Sequence, residues 1–140
     1  MRDLFNNVNV RRVISPVSVT GNSAQVGQII DRQGYESLIY IIATGSLADS
    51  DATFTALLEE GDVSNLSDAA AVDDADLLGT EALASFLFSD DDKCFKLGYK
   101  GAKRYTRLTI TPAANSTAAL MTAVAVLGNP AIAPTANPPS

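Results

Sequence analysis

The chain has 140 residues, 46% of them hydrophobic, with 16 acids against 10 bases, no histidine, no tryptophan and one cysteine. A chain of this length suits one ordinary domain and buries roughly 68% of its unfolded surface without needing a metal or a disulfide. The missing histidine removes Ser–His and Cys–His dyads and histidine metal ligands, and the lone Cys94 excludes an intrachain bridge.

The opening "MRDLFNNVNVRRVI" is broken by charges and amides before the apolar stretch of a leader could form. It leaves Leu4 and Phe5 outside the first strand-like run. Val8 to Val13, Pro16 to Val19 and Val26 to Ile30 are short β-type runs punctuated by turn residues. "ESLIYIIATG" at 36–45 is apolar on both pleat faces and predicts a central strand. "ATFTALLEE" at 52–60 sets Phe54, Ala56 and Leu58 against Thr53, Thr55 and Glu59, the period of a half-buried strand.

Residues 62–83 form an acidic, alanine-rich excursion with room for a short helical turn before Gly79. "SFLFSD" at 85–90 is short and aromatic, and "CFKLGY" at 94–99 alternates Phe95, Leu97 and Tyr99 against Lys96. "KRYTRLTITP" at 103–112 reads as a strand closing at Pro112. In "ALMTAVAVLG" at 119–128, Thr and Val at alternate positions favour strand over helix. No apolar run reaches the roughly 18 residues of a membrane-spanning helix, so a soluble intracellular product is expected. About eight strands with no strand–helix alternation predict an all-β fold, an antiparallel sandwich or jelly roll. Residues 1–128 are expected to form the sandwich with a short N-terminal arm. The Pro-rich residues 129–140 form a C-terminal arm that could extend roughly 37 Å at about 3.1 Å per residue. Ile132 is its apolar peg.

Chemical motifs are weak. Aligning Asp74 with the start of a calcium loop places Asp76 and Gly79 well, but Leu78 and Ser85 fall where oxygen ligands are required. "GYKG" at 98–101 matches the GXXG loop that clamps nucleic-acid backbones in a helical setting, yet both flanks here read as strands. Catalytic, cofactor and metal sites are not expected.

Charge is segregated along the chain. Residues 1–35 carry +2, residues 36–92 carry −14 with no base, and residues 93–107 carry +6 with no acid. Such blocks suit contact by charge complementarity, either with each other or with a partner. The −14 block would repel a polyanion, so nucleic acid is not the expected partner. In the basic stretch Tyr105 and Arg107 share one pleat face, and Arg104 and Leu108 the other. Arginines on both faces point to an edge or a protein interface. Lys100, Lys103, Arg104, Tyr105 and Arg107, with Leu4, Phe5 and Ile132 from the arms, are the expected partner-binding residues.

Four segments, "IDRQGYESLIYIIATGSLADSDATFTALLEEGD" (30–62), "DADLLGTEA" (74–82), "LGYKGAKRYTRLTIT" (97–111) and "AVAVLGNPAIAP" (123–134), together resemble capsid cement, or decoration, proteins of tailed double-stranded DNA bacteriophages with HK97-like shells. The ordered set Asp31–Gly34–Tyr35, Gly98–Tyr99, Gly101, Arg104–Tyr105, Arg107 and Gly128–Pro130 carries the likeness. The resemblance implies a non-enzymatic, jelly-roll-like β-sandwich with extended termini. It implies a homodimer or small homo-oligomer on the virion capsid surface, made in the host cytoplasm and clamping neighbouring major capsid protein subunits. No cofactor, nucleic acid or membrane is implied. The alternatives are a tail or head-fibre component, or a carbohydrate-binding β-sandwich module. The latter would have only Tyr35, Tyr40, Tyr99 and Tyr105 for stacking on sugars.

Overall fold

The computed structural model describes residues 2–139. Among these the strands in chain order are β1 (Val8–Val19), β2 (Gln25–Val26), β3 (Ile30–Asp31), β4 (Tyr35–Leu47), β5 (Thr53–Gly61), β6 (Ala70–Ala71), β7 (Leu77–Leu78), β8 (Phe86–Leu87), β9 (Cys94–Tyr99), β10 (Tyr105–Ala113) and β11 (Ala119–Pro130). Two 3-10 turns, Phe5–Asn7 and Asp74–Asp76, and one turn of α-helix, α1 (Glu81–Ala84), complete the regular structure.

The strands form two antiparallel sheets, a jelly-roll-like β-sandwich. One sheet has the order β1-β11-β4-β9-β7. The other follows β2-β10-β5-β6, with β3 added on β10 and β8 on β5. The apolar run at 36–45 is the centre of the first sheet, flanked by β11 and β9. The alanine-rich run at 119–128 is a strand, as its β-branched residues predict. Two expectations are corrected. The runs at 8–13 and 16–19 are one strand, with register shifts between Arg12 and Ile14 and between Ile14 and Val17 that accommodate Pro16. The run from Val26 to Ile30 is split at Gly27. There the chain crosses between the sheets, Gly27 N donating to Leu108 O and Gln28 N to Val13 O. A Cβ at Gly27 would sit 2.5 Å from Leu108 O, so only glycine fits the crossing.

Between the layers, Leu38, Tyr40 and Ile42 of β4 and Ala123, Ala125 and Leu127 of β11 meet Phe54, Ala56 and Leu58 of β5 and Leu108 and Ile110 of β10, all buried. Two contacts bind the layers specifically. The hydroxyls of Tyr40 and Thr106 share a buried hydrogen bond of 2.6 Å. Burial holds the Tyr40 phenol protonated well above its ordinary range. Phe86 stacks on Phe54 of the second sheet (4.8 Å between centroids) and on Phe95 of the first (5.6 Å). The acidic excursion is fastened to β5 rather than free. Glu81 Oε1 accepts from Leu58 N at 2.8 Å, and Ser85 Oγ accepts from Ala56 N at 2.9 Å. The Thr80 hydroxyl caps α1 by accepting from Leu83 N.

Strand β10 is held to its neighbours by charge as well as by its backbone ladder. Arg107 faces Glu59 across β5 at 3.2 Å, in register. Arg104 grips Asp31 with two hydrogen bonds of 2.9 Å. That bidentate bond, opposed in part by burial, holds the Asp31 carboxyl below the usual carboxylate range.

Replacing Phe86 with alanine removes the ring that both layers share and should cost about 3 kcal/mol, read as a lower urea midpoint at unchanged slope. Asp31→Asn tests the Arg104 bond. Because the folded carboxyl titrates below its unfolded value, the bond stabilises the fold above that unfolded value and is lost as pH falls through the folded one. The wild type should therefore exceed the variant by about 0.5 kcal/mol at neutral pH, the range of an exposed pair, and the gap should close as pH falls below the ordinary carboxylate range in denaturant titrations.

Candidate functional site

The basic stretch divides in two. Lys93, Lys103, Arg104 and Arg107 are ion-paired with Asp90, Asp62, Asp31 and Glu59 of the same chain, at 2.8, 2.7, 2.9 and 3.2 Å. Tyr105 lies under the Arg104 guanidinium, 5.0 Å from ring centroid to Cζ. The partner-contact residues 103–107 are thus engaged internally. The exposed Lys103 and Arg104 pairs are worth little, so a partner could exchange for them at small cost. Beneath them Tyr99 ties the β9–β10 turn together. Its hydroxyl donates to Glu60 Oε2 and accepts from Lys103 N, and burial with the Glu60 contact pushes its pKa up. A Cβ on Gly101 would lie 2.5 Å from that hydroxyl, so the second glycine of "GYKG" makes room for the Tyr99 ring.

Lys96 and Lys100 have no ion-pair partner among the described residues. Both border the outer face of the five-stranded sheet, and that face is apolar. Pleat alternation turns Leu38, Tyr40 and Ile42 inward and Ile39, Ile41 and Ala43 outward on β4, and Ala123 and Ala125 inward and Val124 and Val126 outward on β11. In register, Val10, Val126, Ile39, Gly98 and Leu78 make one row across all five strands. The next row is Arg12, Val124, Ile41 and Lys96. The following one joins Thr122, Ala43 and Cys94, so Cys94 is an exposed strand residue. An antiparallel sheet facing water ordinarily carries polar residues at these positions. The other sheet does so at most positions, with Thr53, Thr55 and Glu59 on β5 and Arg107 and Thr111 on β10, though Leu57 and Val26 face outward beside Thr109.

A groove of about 790 Å³ lies on this face. Ile39, Gly98, Val126 and Gly128 form its floor, Leu78 and Leu83 one wall, and Lys96, Lys100 and Glu36 its charged margin. Phe95 and Tyr99 also border it, but their rings are committed inward, to Phe86 and Glu60. Gly98 shapes the wall, since a Cβ there would meet Leu78 Cβ at 2.8 Å.

The two arms converge. Thr135 N donates to Asn6 O at 3.0 Å, the Thr135 hydroxyl to Val8 O at 2.5 Å, and Ala131 N to Gly34 O at 2.8 Å. Leu4, Phe5 and Ile132 are therefore brought to one end of the molecule with 71, 67 and 82% of their surfaces exposed. Sequence reading named these three and Lys100 but missed Ile39, Val126, Lys96 and Arg12. The available signal was the double apolarity of 36–45 and 119–128 beside the outward Lys96. Among the described residues no group of three or more His, Cys, Asp or Glu side chains is placed to hold a metal, and no helix is long and apolar enough to cross a membrane.

No family model and no curated protein matches the sequence. Among solved structures the fold is similar to a xylan-binding module, CBM15, with a TM-score of 0.50 at 11% identity over 94% of this chain and 96% of that one. The C-terminal family 22 carbohydrate-binding module of Clostridium thermocellum Xyn10B aligns at 0.42 and 9% over 94% and 100%. The Desmodium yellow mottle tymovirus structure aligns at 0.34 and 13% over 98% and 95%. Of these three, the first reaches a TM-score of 0.5, and at its identity the likeness is one of fold: this chain shares the β-sandwich of such modules.

Proposed function

We propose that the protein is a non-enzymatic binding module that decorates the outside of a phage capsid and clamps neighbouring major capsid protein subunits. The observation that carries this reading is the outer face of the five-stranded sheet, where continuous rows of apolar residues stand at positions that a sheet facing only water ordinarily fills with polar ones. The ordered sequence resemblance to cement proteins supplies the partner. A subunit that binds only the assembled shell stabilises it by mass action. A homodimer or small homo-oligomer gripping two shell proteins at once gains avidity from modest contacts. The converging arms, with Leu4, Phe5 and Ile132 exposed together, and the Lys100–Arg107 stretch, with Lys103, Arg104, Tyr105 and Arg107, belong to the same docking surface in this reading. The protein is then a virion component made in the host cytoplasm, with no nucleic-acid or membrane partner.

A second reading, a carbohydrate-binding module, is favoured by the fold similarity to the xylan-binding module. Against it stands the chemistry of the groove. Sugar platforms use exposed aromatic rings, whereas Tyr40 and Tyr99 are buried, Tyr35 packs against the core and bonds Asn9, and Tyr105 is covered by Arg104. The exposed rings, Phe5 and Phe88, lie outside the groove lining.

Co-sedimentation with phage heads stripped of the protein, at low and high salt, separates these readings when run beside affinity electrophoresis through xylan. Saturable binding to heads that weakens with salt, and no retardation by xylan, is the expected result. Retardation by xylan without head binding would establish the carbohydrate reading, and recovery on tails alone would make it a tail component.

A further inference from the structure

We infer that the groove on the outer face of the five-stranded sheet docks an acidic, apolar segment of a partner protein, with Lys96 and Lys100 as its cation rim. The inference rests on the binding-module reading and names the chemistry of what is bound.

The charges select the occupant. Of the ten bases, Lys93, Lys103, Arg104 and Arg107 are paired with internal carboxylates. Lys96, Lys100 and Arg12 have no such pair among the described residues, and Arg12 instead donates to Ser15 Oγ. Glu36 is the carboxylate that shares the groove with the two lysines. The nearby Glu81 carboxylate is spent on Leu58 N, and the Asp76 carbonyl accepts from Lys100 N without placing an ion pair there.

Two lysines to one carboxylate at the groove's margin, with Arg12 further along the same face, disfavour a second copy of that face. Apposed copies would bring cation toward cation in a setting dried by Ile39, Ile41, Val124 and Val126, where repulsion is strongest. A segment with apolar side chains toward Ile39 and Val126 and carboxylates toward the lysines satisfies both features. The shape agrees, because Gly98 and Gly128 raise no side chains from the floor, while Leu78 and Leu83 of β7 and α1 stand as a wall. A groove of about 790 Å³ accepts a short stretch of chain.

The test uses the isotope-labelled full chain and two short synthetic peptides of equal length, one alternating leucine with glutamate and one alternating leucine with lysine, followed by amide chemical shifts. The acidic peptide should move the amides of β4, β9 and β11 around Ile39, Lys96, Gly98 and Val126, with affinity falling as salt rises. The basic peptide should leave those amides in place. Lys96→Glu with Lys100→Glu should weaken the acidic peptide about tenfold, whereas Thr53→Glu with Thr111→Glu, on the outer face of the other sheet, should change it less than about twofold. Thermal midpoints confirm that each variant folds. Shifts confined to other surfaces, equal shifts from both peptides, or no shifts at millimolar peptide would overturn the inference. Peptide binding in the groove without head binding would leave the groove and remove the capsid. Head binding with the peptide mapping elsewhere would do the reverse.

Discussion

Leu38, Tyr40, Ile42 and Thr44 leave β4 on one side while Ile39, Ile41 and Ala43 leave it on the other, and every other feature of the molecule follows from which set faces in. A slip of one residue would exchange the two sets. In β5 the exchange would bury Thr53, Thr55 and Glu59 in place of Phe54, Ala56 and Leu58, so hydrophobicity alone forbids it. In β4 and β11 both sets are apolar and hydrophobicity does not choose. The choice is made by specific contacts. Tyr40 reaches Thr106 across the layers, Asn9 donates to the Tyr35 hydroxyl, and the Thr122 hydroxyl donates to Ile14 O. Size reinforces them, since Ala123 and Ala125 leave inward space for Tyr40 and Ile42 that Val124 and Val126 would fill.

Once parity is fixed, the layers close through few residues. The stacked Phe54, Phe86 and Phe95 bridge them at one end. Gly27 crosses between β1 and β10, where its own amide and that of Gln28 bond to opposite sheets. The acidic excursion at 62–83 is pinned to β5 by Glu81 and capped by Thr80, and so supplies the wall of the groove in a defined position. The acidic excursion is thus a structural part of the surface it borders.

The sequence made the strands legible where one face was polar. Phe54, Ala56 and Leu58 in β5 and Phe95, Leu97 and Tyr99 in β9 were assigned to the buried side from period alone, and the structure agrees. Runs apolar on both faces announced central strands correctly but concealed the candidate site. A one-dimensional pattern does not distinguish a second covering layer from a face left open, and only the sheet order reveals that no further layer among the described residues packs over Ile39 and Val126. The break at Gly27 was illegible for a different reason. Its cause is the approach of Leu108 O and Val13, which are distant in sequence. Likewise the pairing of Arg104 with Asp31, 73 residues away, was invisible in a stretch that looked uniformly available.

The charge blocks acquire a physical meaning once the pairs are assigned. Carboxylates of the acidic block reach Lys93, Lys103 and Arg107, and Asp31 reaches Arg104, so those cations already have a preferred orientation before any partner arrives. A partner competing for them must break one pair to make another, and the net gain is small. Lys96, Lys100 and Arg12 present no such competition. They flank apolar residues whose dehydration on contact lowers the local dielectric, so each new pair there is stronger than one on open surface. In the proposed reading, recognition is then strongest where the fold leaves cations unpaired beside a hydrophobic row, while the ion-paired half of the basic stretch contributes less to it because it also holds β10 in place.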